Sequence, residues 1–576
     1  MASSPATALN PSGLAAAVAN TGRYKLIEQC LEDEIRYMFG NPGTVEEGFL
    51  DAMQYFPRFT YIATLQEGVA VGVADGYART THKPALVQLH DAVGLANGIS
   101  LLYQAKRGHS PLVVIGGEAG LPYQAMDAQN AANLVDIARP VVKYATQVVH
   151  AGSVLRTFRR AVKMAATPPM GPVFISLPLD ILDAVCPERV VRTQIPDTRV
   201  APDASAIAEA AQRLLGSRNP LIIVGDGIAF SDAQEDLIRV ARFLGATVYG
   251  ADSSEPNYPA DDPLYGGLLG HMWGSSSSEK TSKGDAVLVV GTYLFPEVFP
   301  ALEGVFMDGA QVICVDLDLY EMGKNFPFTL GLMADPKRTL AALARELELL
   351  ANDDFREAAG HRRQAAEEKR RAERTDEASA AKQDSSDGVS MKRFCADLAS
   401  RLSEQRIPAL IFDEAITNSD TLCRHIPPST PGTYLQTRGG SLGVGIPGAI
   451  GAKLAKPEST VIGFTGDGGA MYTIQALWTA AHHKIGAKFV ICNNRSYKLL
   501  KTNIDRYWEE RSIPARQYPG CFDIGNPDLR FDLMSESMGV EAIRVTTNDK
   551  IRSAIDAMFS ESNRSQPLLV DLLLAG

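Results

Sequence analysis

Between Val461 and Tyr497 the chain reads VIGFTGDGGAMYTIQALWTAAHHKIGAKFVICNNRSY, and this segment carries the residue types best placed to do chemistry. An apolar strand runs into Gly466-Asp467-Gly468-Gly469, a helix is expected from about Met471 to His483, and a second strand runs into Asn493-Asn494. Glycines at a strand-to-helix turn let backbone N–H groups, here those of Gly468 and Gly469, approach a phosphate at the helix N-terminus. A carboxylate at the same place repels phosphate unless a cation lies between them. Asp467 and Asn494 stand 27 positions apart at the ends of successive strands, and both supply the hard oxygen ligands that Mg2+ takes alongside phosphate oxygens. The pattern asks for a metal-bridged diphosphate. A second Gly-Asp-Gly, at Gly225-Asp226-Gly227, also follows a strand, but 27 residues beyond Asp226 stands Ser253 with no Asn-Asn pair nearby, so it reads as an ordinary turn.

The GDGG and NN pair at this distance resembles the cofactor motif of thiamine-diphosphate (ThDP) enzymes, and the resemblance makes demands elsewhere. In that family a glutamate hydrogen-bonds the aminopyrimidine ring and so promotes loss of the thiazolium C2 proton. Residues 66–79, QEGVAVGVADGYAR, resemble the helix that carries it, with Glu67 in the catalytic place. Gly68, Gly72 and Gly76 recur on one face. Each costs about 1 kcal/mol relative to Ala inside a helix, so the stripe predicts close approach of another backbone. The resemblance makes that approach a subunit interface, in a homodimer or homotetramer where Glu67 reaches cofactor held by the partner chain. Residues 437–448, TRGGSLGVGIPG, resemble the segment beneath the two cofactor rings. Leu442 falls where a bulky apolar side chain bends the cofactor, and the Gly440 carbonyl where its amino group is accepted, a positional effect on rate. Thr417 and Asn418, after a strand, read either as diphosphate donors or as helix caps. The resemblance also places Asn97 and Tyr497 around the cofactor and adds the Ser496 carbonyl to Asp467 and Asn494 as Mg2+ ligands.

The likeness extends over about residues 24–576 and takes in the benzoylformate decarboxylase branch. Its matching pieces are FGNPGT at 39–44, LHDAVGLAN at 89–97, HSPL at 109–112 and ALWTAA at 476–481. On them Thr44 takes the place of a serine that touches the substrate carboxylate, and His90 that of a catalytic histidine, a side chain suited to carrying protons. Leu499 and Leu500 are expected to border the substrate. Lys498 and Lys501 read as solvated surface, His109 as structural, and His482 and His483 as helix-closing cations that complement the dipole. There is one departure. The branch has a second active-site histidine from its middle domain, and the segment Gly291–Val298 puts Val298 there, with no histidine between His271 and His361. Glu297 is the nearest substitute. Without that proton donor, capture of the reacting carbon by an aldehyde or second oxo acid is favoured. The resemblance thus implies a ThDP- and Mg2+-dependent, non-oxidative 2-oxo acid decarboxylase. Three alternatives stay open: a carboligase or lyase of the acetolactate synthase or benzaldehyde lyase type, a flavin-containing ThDP oxidase with FAD in the middle domain, and a non-catalytic scaffold.

Positioning such residues takes several parallel sheets. Apolar runs at Ile35–Phe39, Ala85–Leu89, Leu112–Ile115 and Val173–Leu177 alternate with amphipathic stretches such as Glu67–Arg79, and the pattern restarts at Leu221–Val224 and again at Ala409–Phe412. The expected fold is α/β, with three doubly wound parallel-sheet domains: pyrimidine-binding at 24–195, middle at 204–350 and diphosphate-binding at 391–576. A disordered extension is expected at 1–23 and a charged, solvated helical linker at 351–390. A chain of 576 residues exceeds one core. Its balance of 56 basic and 67 acidic residues, net −11, argues against nucleic acid or anionic membrane as the main partner; the expected partners are a 2-oxo acid and an aldehyde. Seven scattered cysteines without C-x-x-C spacing read as reduced thiols of a cytoplasmic protein. No run approaches the length of a membrane-spanning helix.

Overall fold

The computed structural model describes residues 16–251, 253–270, 272–295, 297–381 and 388–575. Three six-stranded parallel sheets carry the fold, with strands lying between Tyr37 and Pro178, Pro220 and Met333, and Ala409 and Leu573. Leu112–Glu118, Val173–Pro178, Ala286–Val290 and Lys488–Asn493 are buried at every position. That is the burial expected of strands covered by helices on both faces.

Numbered in chain order within each sheet, the strands run 2-1-3-4-6-5 across the first and third sheets and 3-2-1-4-5-6 across the middle one. In such sheets ligands bind beyond the carboxyl ends of the strands, where the winding reverses. In the first sheet this point lies between Tyr37–Gly40 and Ala85–His90. In the third it lies between Ala409–Glu414 and Thr460–Gly466.

The described residues form two compact units, one drawn from the stretches up to 196, 388–420 and from 437 on, the other from those between 197 and 381 and 421–436. In the first unit, helix Glu67–Thr81 lies against helix Gly445–Ala455. A Cβ on Gly72 would stand 2.7 Å from Pro447 Cγ, one on Gly76 would overlap the Gly448 carbonyl, and one on Gly451 would overlap the Val73 carbonyl. The close approach expected at a subunit interface is therefore met within the chain, because the facing helix has its own small-residue stripe. The guanidinium of Arg79 sits 3.9 Å from Asp75, with both side chains buried, and 5.8 Å from the Phe412 ring centroid.

Two expected boundaries change. Residues 1–15 lie outside those described, but the rest of the supposed extension holds helix Ala16–Ala19 and the start of helix Gly22–Glu32, where Gly22 N–H donates to the Ala184 carbonyl. The charged stretch after residue 350 forms helix Asp353–Ala381, whose first turns expose Asp353, Asp354, Arg356 and Glu357 but pack one face into the protein. Phe355 and Ala359 belong to the core of the second unit, and the Arg362 guanidinium donates to the Leu244 carbonyl at 2.7 Å. Residues 382–387 of the expected 351–390 linker lie outside the described residues.

The glycine contact is testable. Gly76→Ala should lower unfolding free energy by about 2 kcal/mol or more through overpacking, despite the better helix propensity of Ala. Gly520, which has open space around its Cβ position, is the control. Urea unfolding of the two Ala variants measures the difference.

Candidate functional site

Glu67 opens its helix, with Gln66 as the cap accepting from Val69 N–H. The carboxylate is buried and held from both sides, Oε1 by Asn41 Nδ2 at 3.1 Å and Oε2 by Asn97 Nδ2 at 3.0 Å. Asn97, expected beside the cofactor, thus acts on Glu67. Asn41 is a partner that the sequence reading passed over, although it directly follows the first strand at the switch point. One turn beyond Asn97 on helix Asp91–Arg107, the Ser100 hydroxyl bonds that of Ser441. This joins the element that holds Glu67 to the loop carrying Gly440 and Leu442.

His90 ends its strand at the same switch point, with Nδ1 3.1 Å from Glu46 Oε2. In the neutral ring, a proton on Nδ1 directed at the carboxylate leaves Nε2 as the basic nitrogen. A side chain on Gly43 would run into the His90 ring, so the glycine next to Thr44 is dictated by that contact. Thr44 itself is exposed in the turn. Burial pushes the Glu46 carboxyl up to about 7, against the opposing pull of His90. Glu46 is a second residue the sequence reading missed; its signal is an acid two positions after Thr44 in the same loop.

In the third sheet, Gly466 caps a helix that begins at Asp467 itself, four residues earlier than expected, and the helix breaks at Ile474–Gln475 into Asp467–Thr473 and Ala476–His482. Asp467 Oδ1 accepts from Gly468 N–H at 2.8 Å, while Oδ2 and Asn494 Oδ1 converge on one donor, Ser496 N–H, at 3.3 and 3.0 Å. Two oxygens sharing one N–H keep capacity for a hard cation. The Ser496 carbonyl accepts from Lys498 N–H at 2.8 Å and retains a second lone pair. Burial raises the Asp467 carboxyl, partly offset by backbone N–H groups. The Cβ positions of Gly440 and Gly466 face open space, and the Tyr497 ring walls Gly468. Oxygen ligands and open room beside a glycine turn together fit a metal-bound diphosphate.

The other Gly-Asp-Gly differs. Asp226 accepts from Ser254 N–H at 2.8 Å, Glu255 N–H at 3.0 Å, Asn257 Nδ2 at 2.9 Å and the Ser254 hydroxyl. It is a filled turn, as expected.

Other expected residues divide. Gly469 is buried, its Cβ position 2.9 Å from Thr465 Oγ1. Leu442 and Leu499 are half-buried and Leu500 is exposed. Thr417 is exposed and Asn418 half-buried in a short turn; the capping there falls to Asp413, whose Oδ1 accepts from Ala415 N–H and the Ser419 hydroxyl. His483 is not a helix-closing cation. Its Nε2 accepts from Ala63 N–H at 2.9 Å, and burial, then the neighbouring His482, holds its pKa down to about 4. In the second unit Val298 is exposed, while Glu297 is buried with Oε1 on the Ser277 hydroxyl. Only Oε1 of Glu297 is engaged in this way; Oε2 is buried without a hydrogen-bond partner.

Parallel α/β sheets with oxygen ligands and a glycine turn at one switch point, and an amide-held glutamate near another, have the form of an enzyme built around a diphosphate cofactor. The comparisons give the family. Residues 20–138, 207–343 and 415–572 match, in order, the N-terminal TPP binding, central and C-terminal TPP binding domains of thiamine pyrophosphate enzymes. The chain belongs to that family, and its cofactor is ThDP. Benzoylformate decarboxylase of Pseudomonas aeruginosa is 29% identical over 541 residues, 93% of this chain and 95% of that protein. The acetolactate synthase large subunit of Haemophilus influenzae is 27% identical over 551 residues, 94% and 92% of the two chains. The ThDP-dependent 4-hydroxybenzoylformate decarboxylase of Rhodococcus jostii matches with a TM-score of 0.81 at 26% identity, covering 96% of this chain and 99% of that one. Benzoylformate decarboxylase of Polynucleobacter necessarius shares the fold, with a TM-score of 0.80 at 23% identity. Among the described residues no helix is long and apolar enough to cross a membrane.

His483 gives a pH prediction. Its folded pKa of about 4 lies below the ordinary 6.5, so between these values the unfolded chain binds more protons and stability rises with pH. The contribution is complete above pH 6.5 and is lost as pH falls towards 4. His483→Gln keeps an acceptor without titrating and should flatten that part of the slope in urea unfolding at stepped pH.

Proposed function

We propose that the protein is a ThDP- and Mg2+-dependent enzyme that removes CO2 from a 2-oxo acid without oxidation. The observation that carries this reading is the His90–Glu46 pair at the switch point that also supplies Asn41 to Glu67. Its relatives among benzoylformate and 4-hydroxybenzoylformate decarboxylases support it. When bound, ThDP supplies an acidic carbon and an electron sink for decarboxylation. Everything else falls to the chain. Asp467, Asn494 and the Ser496 carbonyl hold Mg2+, and the Gly469 N–H, with Thr417 and Asn418, faces the diphosphate, while the Gly468 N–H stays on Asp467 Oδ1. Tyr497 borders it. Leu442 and the Gly440 carbonyl receive the rings, and Glu67 bonds the aminopyrimidine, kept in place by Asn41 and Asn97. Thr44 orients the substrate carboxylate, Leu499 and Leu500 border its side chain, and His90 carries a proton at Nε2 while Glu46 fixes the ring.

Carboligation is the second reading, with an aldehyde or second oxo acid as acceptor. It is favoured by Val298, an aliphatic group where the branch has a proton-carrying histidine, and by the engagement of Glu297 with Ser277. The flavin alternative is opposed by Asp226. That carboxylate, saturated by protein donors, occupies the glycine turn at the switch point of the middle sheet, beside Ala286–Val290, where a dinucleotide pyrophosphate would approach.

The reading includes assembly of two or four copies in the cytoplasm. Leu65, two residues before Glu67, and Tyr472, in the helix that Asp467 opens, are 52% and 56% exposed, which leaves apolar surface beside the site for a second copy to cover.

The test is incubation of the protein, ThDP and Mg2+ with a panel of 2-oxo acids, with and without acceptor aldehydes, and identification of the products. Aldehyde and CO2 from at least one oxo acid are expected. Joining or cleavage of aldehydes with no CO2 release from any oxo acid would overturn the decarboxylase reading. Glu67→Gln should lower turnover by about a hundredfold or more; an unchanged rate removes Glu67 from the chemistry.

A further inference from the structure

Glu414 is fully buried, yet it is none of the metal, diphosphate or proton-carrying groups of the site. It ends strand Ala409–Glu414, paired with Thr465 of the neighbouring strand, two residues before Asp467. Its Oε1 accepts from Gly443 N–H at 2.7 Å and Val444 N–H at 3.2 Å, and its Oε2 from Gly445 N–H at 2.8 Å and the Thr465 hydroxyl at 3.0 Å. Four donors and no acceptor surround the two oxygens, the complement of an anion. Two come from the loop that carries Gly440 and Leu442, one from the first residue of helix Gly445–Ala455, and the fourth, the Thr465 hydroxyl, from the neighbouring strand.

That loop has little else to set its shape. Gly439, Gly440 and Gly443 have φ of 67°, 72° and 98°, a left-handed path that leaves the chain without the usual restraint of a side chain. Its near end is tied by Ser441 to Ser100, and its far end at Gly443, where Glu414 holds the N–H and Thr473 Oγ1 donates to the carbonyl at 2.6 Å. Leu442 lies between these ties.

We infer that Glu414 is a positioning residue for the cofactor's rings. Its carboxylate clamps Gly443, Val444 and Gly445, so that Leu442 and the Gly440 carbonyl form a preset shelf. The inference rests on the ThDP reading of the loop. It makes a selective demand: loss of the clamp weakens recognition of the rings and leaves the diphosphate and metal ligands, Asp467 and Asn494, in place.

Glu414→Gln is the direct test. The amide keeps the shape, but whichever way it turns, its NH2 meets a fixed backbone N–H, of Gly445 in one orientation and of Gly443 and Val444 in the other. Calorimetric titration of the full-length protein compares two probes in the presence of Mg2+, ThDP and inorganic pyrophosphate. The expected result is a ThDP Kd raised about tenfold or more, as stranding a buried donor implies, with the pyrophosphate Kd unchanged. Equal weakening for both probes would mark Glu414 as merely structural, and an unchanged ThDP Kd would also overturn the inference. Should Glu414→Gln fail to fold, Thr473→Val decides: it releases only the Gly443 carbonyl and should show the same selectivity, and equal effects on both probes would overturn the inference. If the wild-type protein binds pyrophosphate with Mg2+ but not ThDP, the ThDP reading falls and this inference with it; if wild type binds ThDP and the variants bind it equally well, only the inference falls.

Discussion

Two helices that touch at glycines, backbone against backbone at Gly76 and Gly451, set the geometry on which the site depends. Helix Glu67–Thr81 brings Gly72 and Gly76, and helix Gly445–Ala455 brings Gly448 and Gly451. Each glycine costs helix propensity, so the contact is favourable only as a whole, when both stripes face each other in one register. That register has chemical consequences at both N-termini. One helix begins at Glu67 itself. The other begins three residues after Leu442. Sliding either helix by a turn would move the glutamate about 5 Å relative to the loop, and the carbonyls of Val73 and Gly448, packed where Cβ atoms would be, prevent it.

Smaller ties hold the same arrangement from the side. The backbone of Ala63, four residues before Glu67, is clamped by His483 Nε2 at its N–H and by the Thr479 hydroxyl at its carbonyl. The acids of the region follow one rule as well. Glu67 is held by two amides, Glu414 by three backbone N–H groups and a hydroxyl, and Asp467 by backbone N–H groups. None of these contacts involves Lys or Arg. Neutral donors hold a charge in place without cancelling it, so the region stays electronegative and a dianionic ligand there requires a cation. A chain of net −11 can thus hold a diphosphate cofactor through metal and backbone.

What the sequence made readable follows burial. Strand Ala286–Val290 has its expected limits because all five positions are buried and the apolar run is unbroken. Edge strands such as Thr60–Ala63, Tyr144–Gln147 and Leu330–Met333 gave no such run, since they are half-exposed. Motif residues with a spacing of their own, Glu67, Asp467 and Asn494, were likewise visible. Their supports were not. Glu46 is 44 residues from His90, and Glu414 is 31 from Gly445; such pairings are made by sheet order, which a single sequence does not display. His483 shows the same limit from the other side: its place at a helix end implied a cation, and only docking against Ala63 makes it a neutral acceptor.

The two Gly-Asp-Gly turns show why spacing carried more information than the motif. Both follow a parallel strand at a switch point, and both aspartates are buried. They differ in what the chain brings back about 27 residues later. Beyond Asp226 it returns Ser253, Ser254 and Asn257, which are or include donors, and Asp226 is satisfied by protein alone. Beyond Asp467 it returns one donor to the carboxylate, the Ser496 N–H, and two further acceptors, the Asn494 side-chain oxygen and the Ser496 carbonyl. Several acceptor oxygens gathered around few donors keep lone pairs free, which suits a hard cation. The same three residues thus make a closed structural turn in one sheet and, in another, a turn whose surroundings hold acceptor oxygens in excess of donors, the arrangement that a metal-bound diphosphate asks for.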